Sequence, residues 1–144
     1  MKTYYNCKLR YTKQHEDGSI KHVKEDFLLD GVSYTEAETL FHKFIEENIS
    51  GEFTVKNIYK TNISEVINYE DSDNWYKCKV LYVTIDGDSS KEVKVSKYFL
   101  VNAKTVKEAY ERIEDSLSSM LVPFEIPSIT LTNVVEVIEY KEKS

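Results

Sequence analysis

At 144 residues, the chain has room for one ordinary domain or two very small ones. With 41% hydrophobic residues, four glycines and two prolines, its composition excludes general disorder. A formal net charge of -6 lacks the strongly basic balance of a phosphate-backbone binder and disfavours nucleic acid as a partner, while two cysteines make no disulfide scaffold.

The unusual component is tyrosine, with eleven copies beside six Phe and one Trp. Such rings suit half-buried sheet faces and interfaces. Met1-Lys2-Thr3-Tyr4-Tyr5 leads straight into a strand-like pattern. No apolar run of signal-peptide type is visible, and none has the length of a membrane-spanning helix. The expectation is a cytoplasmic protein without membrane association, in which Cys7 and Cys78 stay reduced and buried.

Tyr5, Cys7, Leu9 and Tyr11 alternate with polar residues, the period of a half-buried strand. His15-Glu16-Asp17-Gly18-Ser19 then marks a hairpin tip, and the returning strand covers about residues 20–29. Ser33 with Glu36 three residues on predicts a capped helix start. Ala37, Leu40, Phe41, Phe44 and Ile45 recur at helical intervals until Ser50-Gly51. A strand is expected over 52–60, and residues 63–69 read as a further short strand.

After a polar connector the same grammar returns. Tyr76, Cys78, Val80 and Tyr82 line one strand face, Asp86-Gly87-Asp88 makes the turn, and residues 92–101 return. Thr105 with Glu108 caps a helix carrying Val106, Ala109, Ile113, Leu117 and Met120, which Pro123 limits. Strands over 125–131 and 134–140 follow.

The two halves also match residue by residue. Tyr5, Cys7, Lys8 and Tyr11 face Tyr76, Cys78, Lys79 and Tyr82 at an offset of 71. "FLLDGVSYTEAE" faces "FLVNAKTVKEAY" at 72, and Phe53 and Ile58 face Phe124 and Ile129 at 71 again. "TNISEVINY" (61–69) reappears as "TNVVEVIEY" (132–140). These identities predict an α+β fold built by internal duplication of a ββαβ(β) unit, with helices packed on antiparallel sheet. The expected division is a first unit over 1–69, a short acidic connector over 70–74 and a second unit over 75–144, packed as one compact body. The symmetry is imperfect: Arg10 and Thr12 correspond to Leu81 and Val83, so the second copy's strand is apolar on both faces.

Chemistry-bearing patterns are sparse. Cys7 and Cys78 have no histidine partner repeated in both units. His15, His22 and His42 occur only in the first and lack metal-ligand spacing. Paired acids such as Glu16-Asp17 and Asp71-Ser72-Asp73 fall at turns and in the connector, and no phosphate-cradling glycine loop or nucleophile elbow is present. No catalytic, cofactor-binding or metal-binding residue is therefore assigned, no cofactor is expected, and the protein is expected not to be an enzyme. Asn62 with Asn133 and Glu65 with Glu136 repeat, most simply as local turn chemistry. The candidate interaction surface is Tyr4, Lys8 and Arg10 with Trp75, Lys77 and Lys79, where lysines flank aromatic rings on strand faces. Such a face suits a protein partner or, as the alternative, a nucleic acid.

The aromatic-Tyr-x-Cys-Lys-Val/Leu pattern at 75–80, its weaker copy at 4–9, "SYTEAE" at 33–38 and "SGEF" at 50–53 carry a resemblance. The chain resembles a family of small proteins of unknown function from Bacteroidota and their phages. The resemblance supplies no catalytic residues. It implies a phage or mobile-element setting and a non-enzymatic factor that binds a host or phage protein; monomer and homodimer both remain open.

Overall fold

The computed structural model describes residues 3–139. The first alternating segments become β1 (Thr3–Gln14) and β2 (Ile20–Gly31), paired antiparallel from Thr3 opposite Gly31 to Gln14 opposite Ile20. At their tip Gly18 takes a φ of 86°, and the Asp17 carboxylate accepts bonds from the backbone N–H and the hydroxyl of Ser19. Next come α1 (Tyr34–Asn48), β3 (Phe53–Lys60) and β4 (Ile63–Ile67). The second copy supplies β5 (Trp75–Ile85), β6 (Glu92–Asn102), α2 (Val106–Ser116), β7 (Phe124–Leu131) and β8 (Val134–Ile138).

Both helices begin as their sequences require. The Ser33 hydroxyl accepts the Glu36 N–H at 3.1 Å, and the Thr105 hydroxyl accepts that of Glu108 at 3.1 Å. Each glutamate reaches back one residue beyond the cap, accepting the N–H of Val32 at 3.3 Å and of Lys104 at 2.9 Å. Each helix buries one stripe on its own sheet: Ala37, Phe41 and Ile45 in one, Ala109 and Ile113 in the other, followed by Leu117 at the α2 C-cap. The second helix is shorter than its periodicity predicts, because Met120 lies beyond its end. Asp115, Ser116, Ser118 and Ser119 compete with the helical backbone there. Leu117 closes the helix with its N–H directed at the carbonyls of residues 113, 114 and 115.

The sheet order corrects the expected division of the chain. One sheet runs β3-β1-β2-β8 and the other β4-β6-β5-β7. The closing strand of each repeat thus pairs in the sheet of the other. β8 lies parallel to β2, with Phe27 opposite Glu136 and Leu29 opposite Ile138. β4 lies parallel to β6, with Phe99 opposite Glu65 and Val101 opposite Ile67. Two compact units result: one runs to Asn62 and resumes at Asn133, and the other spans Ile63–Thr132. These differ from 1–69 and 75–144. Each sheet is also mixed, not wholly antiparallel, because an incoming strand with no hairpin to its neighbour is free to pair in parallel.

The repeated Thr-Asn dipeptides mark the crossing points. Thr61 directs its N–H (2.9 Å) and hydroxyl (2.8 Å) to the Tyr4 carbonyl, and Thr132 does the same to the Trp75 carbonyl at 2.9 and 2.8 Å. Each threonine ties its unit's third strand to the start of the first, and the chain then leaves for the other sheet. The connector belongs to the second unit: Asn74 O accepts the Ala103 N–H, the Ser72 hydroxyl donates to Ala103 O, and Asp71 pairs with Arg112.

In the first unit Tyr5, Cys7, Leu9 and Tyr11 pack with Phe27, Phe41, Ile45 and the exchanged Ile138. Tyr76, Cys78 and Val80 pack with Phe99, Ala109 and Ile113 in the second, where the exchanged Ile67 joins from the edge. Pro127 is tolerated inside β7 because it sits on an edge strand at a bulge, where the register slips between Lys79 and Leu81. Ile138→Ala is expected to cost about 2–5 kcal/mol, with amide exchange loosening first in β2 and α1. Loosening confined to β6 and α2 would contradict the exchanged pairing.

Candidate functional site

The six residues singled out on strand faces separate into two kinds. Tyr4 and Trp75, the aromatic members, are only 7% and 4% exposed. Neither ring is available in this structure for a base or a partner to stack on. Lys8 and Arg10 are exposed on the β1 face opposite the helix. Lys77 and Lys79 are half-buried on the corresponding face of β5. The Lys77 ammonium lies 4.8 Å from the centre of the Tyr98 ring, and burial lowers its pKa. The sequence alternation separated the two faces of each strand but could not show which rings are covered.

The cysteines face the two cores. Burial first, and secondarily the Asp26 charge, push the Cys7 thiol up to about 12; burial pushes Cys78 up to about 12. A thiol so far from ionisation is a poor nucleophile. His15 sits in the exposed hairpin tip, His22 on the exposed part of β2 and His42 on the wet side of α1. No group of three or more His, Cys, Asp or Glu among the described residues is placed to hold a metal ion. No helix among them is long and apolar enough to cross a membrane.

Comparison of the two units locates a different site. In the second unit a groove of about 360 Å³ opens between the end of α2 and the adjacent sheet. Val80, Phe99, Leu117 and Met120 supply apolar walls; Glu65, Tyr82, Lys97 and Ser116 supply polar groups. Strand β5 contributes Val80 and Tyr82, β6 contributes Lys97 and Phe99, and the exchanged β4 contributes Glu65. The early end of α2 leaves Leu117 and Met120 on the non-helical turn that forms the far wall.

The matched region of the first unit is filled. At the position of Ser116 the first repeat has Phe44, whose ring lies 5.2 Å from Phe27 and 6.3 Å from Phe41. Lys97 corresponds to Glu25, which accepts a hydrogen bond from the Tyr11 hydroxyl and pairs with Lys13 at 3.4 Å. In the second unit the charge is reversed: the Lys97 ammonium rests 5.9 Å from the Tyr82 ring centre, and no ion pair joins it to Glu65 among the described residues. The first unit thus has a filled, acid-lined position where the second, with a shorter helix, has an open groove carrying both charges. The missed signal was in the sequence as Phe44 against Ser116 and Glu25 against Lys97.

A polar network holds the second unit's other end. Asn102 is buried; its side-chain oxygen accepts the Tyr69 N–H at 2.8 Å, and its amide donates to Asn68 at 2.9 Å and to the Ser72 carbonyl at 3.1 Å. Arg112 stacks 4.1 Å from the Tyr69 ring centre, donates to Asn102 O at 2.7 Å and pairs with Asp71. Every group in this set has a partner, as a structural support requires.

A family model described as Domain of unknown function (DUF4494) matches residues 3–140, and the chain belongs to that family. No curated protein and no solved structure matches it.

Both thiols are expected to resist alkylation in the folded protein at mildly alkaline pH and to react once it is denatured; modification of either in the native state would contradict their burial. Loss of water around its carboxylate, then the Glu25 charge, raise the Glu136 pKa. The folded state therefore holds that proton more tightly than the unfolded state, and stability falls as pH rises through the raised pKa. Glu136→Gln is expected to stabilise the protein at neutral pH and to have no effect in acid, where both states carry the proton. Chemical denaturation at the two pH values reads the difference, and a loss of stability at neutral pH would count against it.

Proposed function

We propose that this member of the family is a non-enzymatic protein-interaction or assembly factor. It works in the cytoplasm, in a phage or mobile-element setting, and engages a host or phage protein through the groove of the second unit. The observation that carries this reading is the asymmetry of two related cores, one filled by Phe44 and the other left open at Ser116. A side chain that would have closed the groove is present in the same chain, so the opening is not a requirement of the scaffold. No groove-lining residue is a histidine or a cysteine. Apolar walls with a charged rim suit an anchor residue of a partner, where a few contacts carry most of the binding energy.

Ser116→Phe is the direct test. The matching position of the first repeat carries the aromatic Phe44, so the variant is expected to fold and to melt no lower than the natural protein. It is expected to weaken a purified partner protein by at least about tenfold, or about 1.4 kcal/mol. Unchanged saturable binding would contradict the assignment. Oligonucleotides titrated at low salt test the alternative: binding that falls steeply with salt and survives Ser116→Phe would favour a nucleic-acid surface built on the exposed cations.

A further inference from the structure

Strand β6 is unequally paired along its two sides. Its inner edge meets β5 over the full length, from Glu92 opposite Ile85 to Asn102 opposite Trp75. Its outer edge carries β4 only from Tyr98 to Val101. Along Glu92–Lys97 the outward backbone N–H and C=O groups therefore have no strand partner. Alternate residues of an extended strand direct these groups to the same edge, so the stretch offers a short ladder to an incoming chain.

The open ladder runs into the groove. Lys97, its last residue, lines the groove, and so does Glu65 of β4, which pairs opposite Phe99. Lys97 stands opposite Val80, and Val95 stands opposite Tyr82, so the groove-facing side of β6 continues outward along the unpaired edge. The surroundings are apolar for an exposed hairpin: Ile85 and Val93 are 69% and 41% exposed. The matched strand of the first repeat is also unpaired beyond Asp26, but there Phe44 fills the adjoining position. In the second unit the open ladder and the open groove coincide.

The first unit also indicates what fits. The Phe44 ring occupies the region matching the groove, packed against Phe27, whose counterpart in the second unit is Phe99. An aromatic side chain delivered from outside would meet the same kind of wall, extended by Leu117 and Met120. Charge narrows the partner further. Within Glu92–Lys97, Lys94 and Lys97 outnumber Glu92 in a chain with net charge -6, so acidic residues are favoured in the segment that pairs with this edge.

We infer that the second unit captures an extended segment of a partner polypeptide, paired as an added strand with the Glu92–Lys97 edge of β6 and anchored by one aromatic side chain in the groove beside Ser116. The inference rests on the reading of that groove as the interaction site and adds the form and chemistry of what enters it. In strand addition, backbone hydrogen bonds supply affinity and side-chain pockets supply specificity. Both components are present: β6 supplies the edge, and β4, β5, β6 and the end of α2 supply the pocket.

Random short peptides displayed against the full-length chain provide the test. Enriched sequences are expected to carry an aromatic residue beside acidic ones and to lose at least about tenfold in affinity against Ser116→Phe. Binding is also expected to slow amide exchange along Glu92–Lys97 and to be abolished by N-methylation of alternate peptide amides. Peptides that require the open groove yet tolerate N-methylation and leave Glu92–Lys97 unprotected would overturn strand addition while leaving the groove as a site. Peptides insensitive to Ser116→Phe would overturn the groove reading itself. Failure to enrich any sequence over a protein-free control would overturn the capture of an extended segment.

Discussion

The outward edges of β2 over Asp26–Leu29 and of β6 over Tyr98–Val101 are met by short strands that come from opposite repeats. This exchange governs the rest of the structure. The first core includes Ile138 from the chain's far end, and the second is joined at its margin by Ile67 from the middle. Thr61 and Thr132 hold the departure points with paired hydrogen bonds to the carbonyls of Tyr4 and Trp75. Neither sheet is complete within one continuous repeat. The β2–β8 pairing joins residues near opposite ends of the chain, a non-local contact of the kind that slows folding.

Because the two units share a frame, their differences become interpretable. Asp30 of the first repeat matches Asn102, which gathers Asn68, Tyr69 and Ser72 into a buried network and secures the connector. Lys56 matches Pro127 at the bulge, so the second unit's outer antiparallel edge lacks a backbone donor where the first keeps one. Phe44 matches Ser116, and Glu25 matches Lys97. Each change is tolerated because α1 and α2 retain equivalent N-terminal caps and equivalent buried stripes. The scaffold is maintained by both copies, while the second leaves an apolar opening beside an unpaired strand edge.

Much of the architecture was legible in the residues. Alternation through Cys7 and Cys78, the Asp17-Gly18 turn and the two capping serine or threonine residues each have a local physical cause, and each appears where that cause acts. The exchange was not legible for an equally physical reason. "ISEVI" and "VVEVI" have nearly the same pattern, so either strand suits either sheet edge and nothing within them names the partner. The end of α2 was misread because Leu117 and Met120 keep a helical interval after the backbone has left the helix. Tyr4 and Trp75 were misread because alternation distinguishes two faces without showing whether the second is covered. The groove depended on an aligned difference, Phe44 against Ser116, that acquires meaning only once both residues are placed over equivalent sheets.

Cross-strand proton contacts in solution, measured by NMR, test the exchange most directly. The structure predicts backbone contacts from Glu65, Val66 and Ile67 to Phe99, Leu100 and Val101. Contacts from the same three residues to Phe27, Leu28 and Leu29 instead would mean that each repeat closes its own sheet, contradicting the pairing on which both units are built.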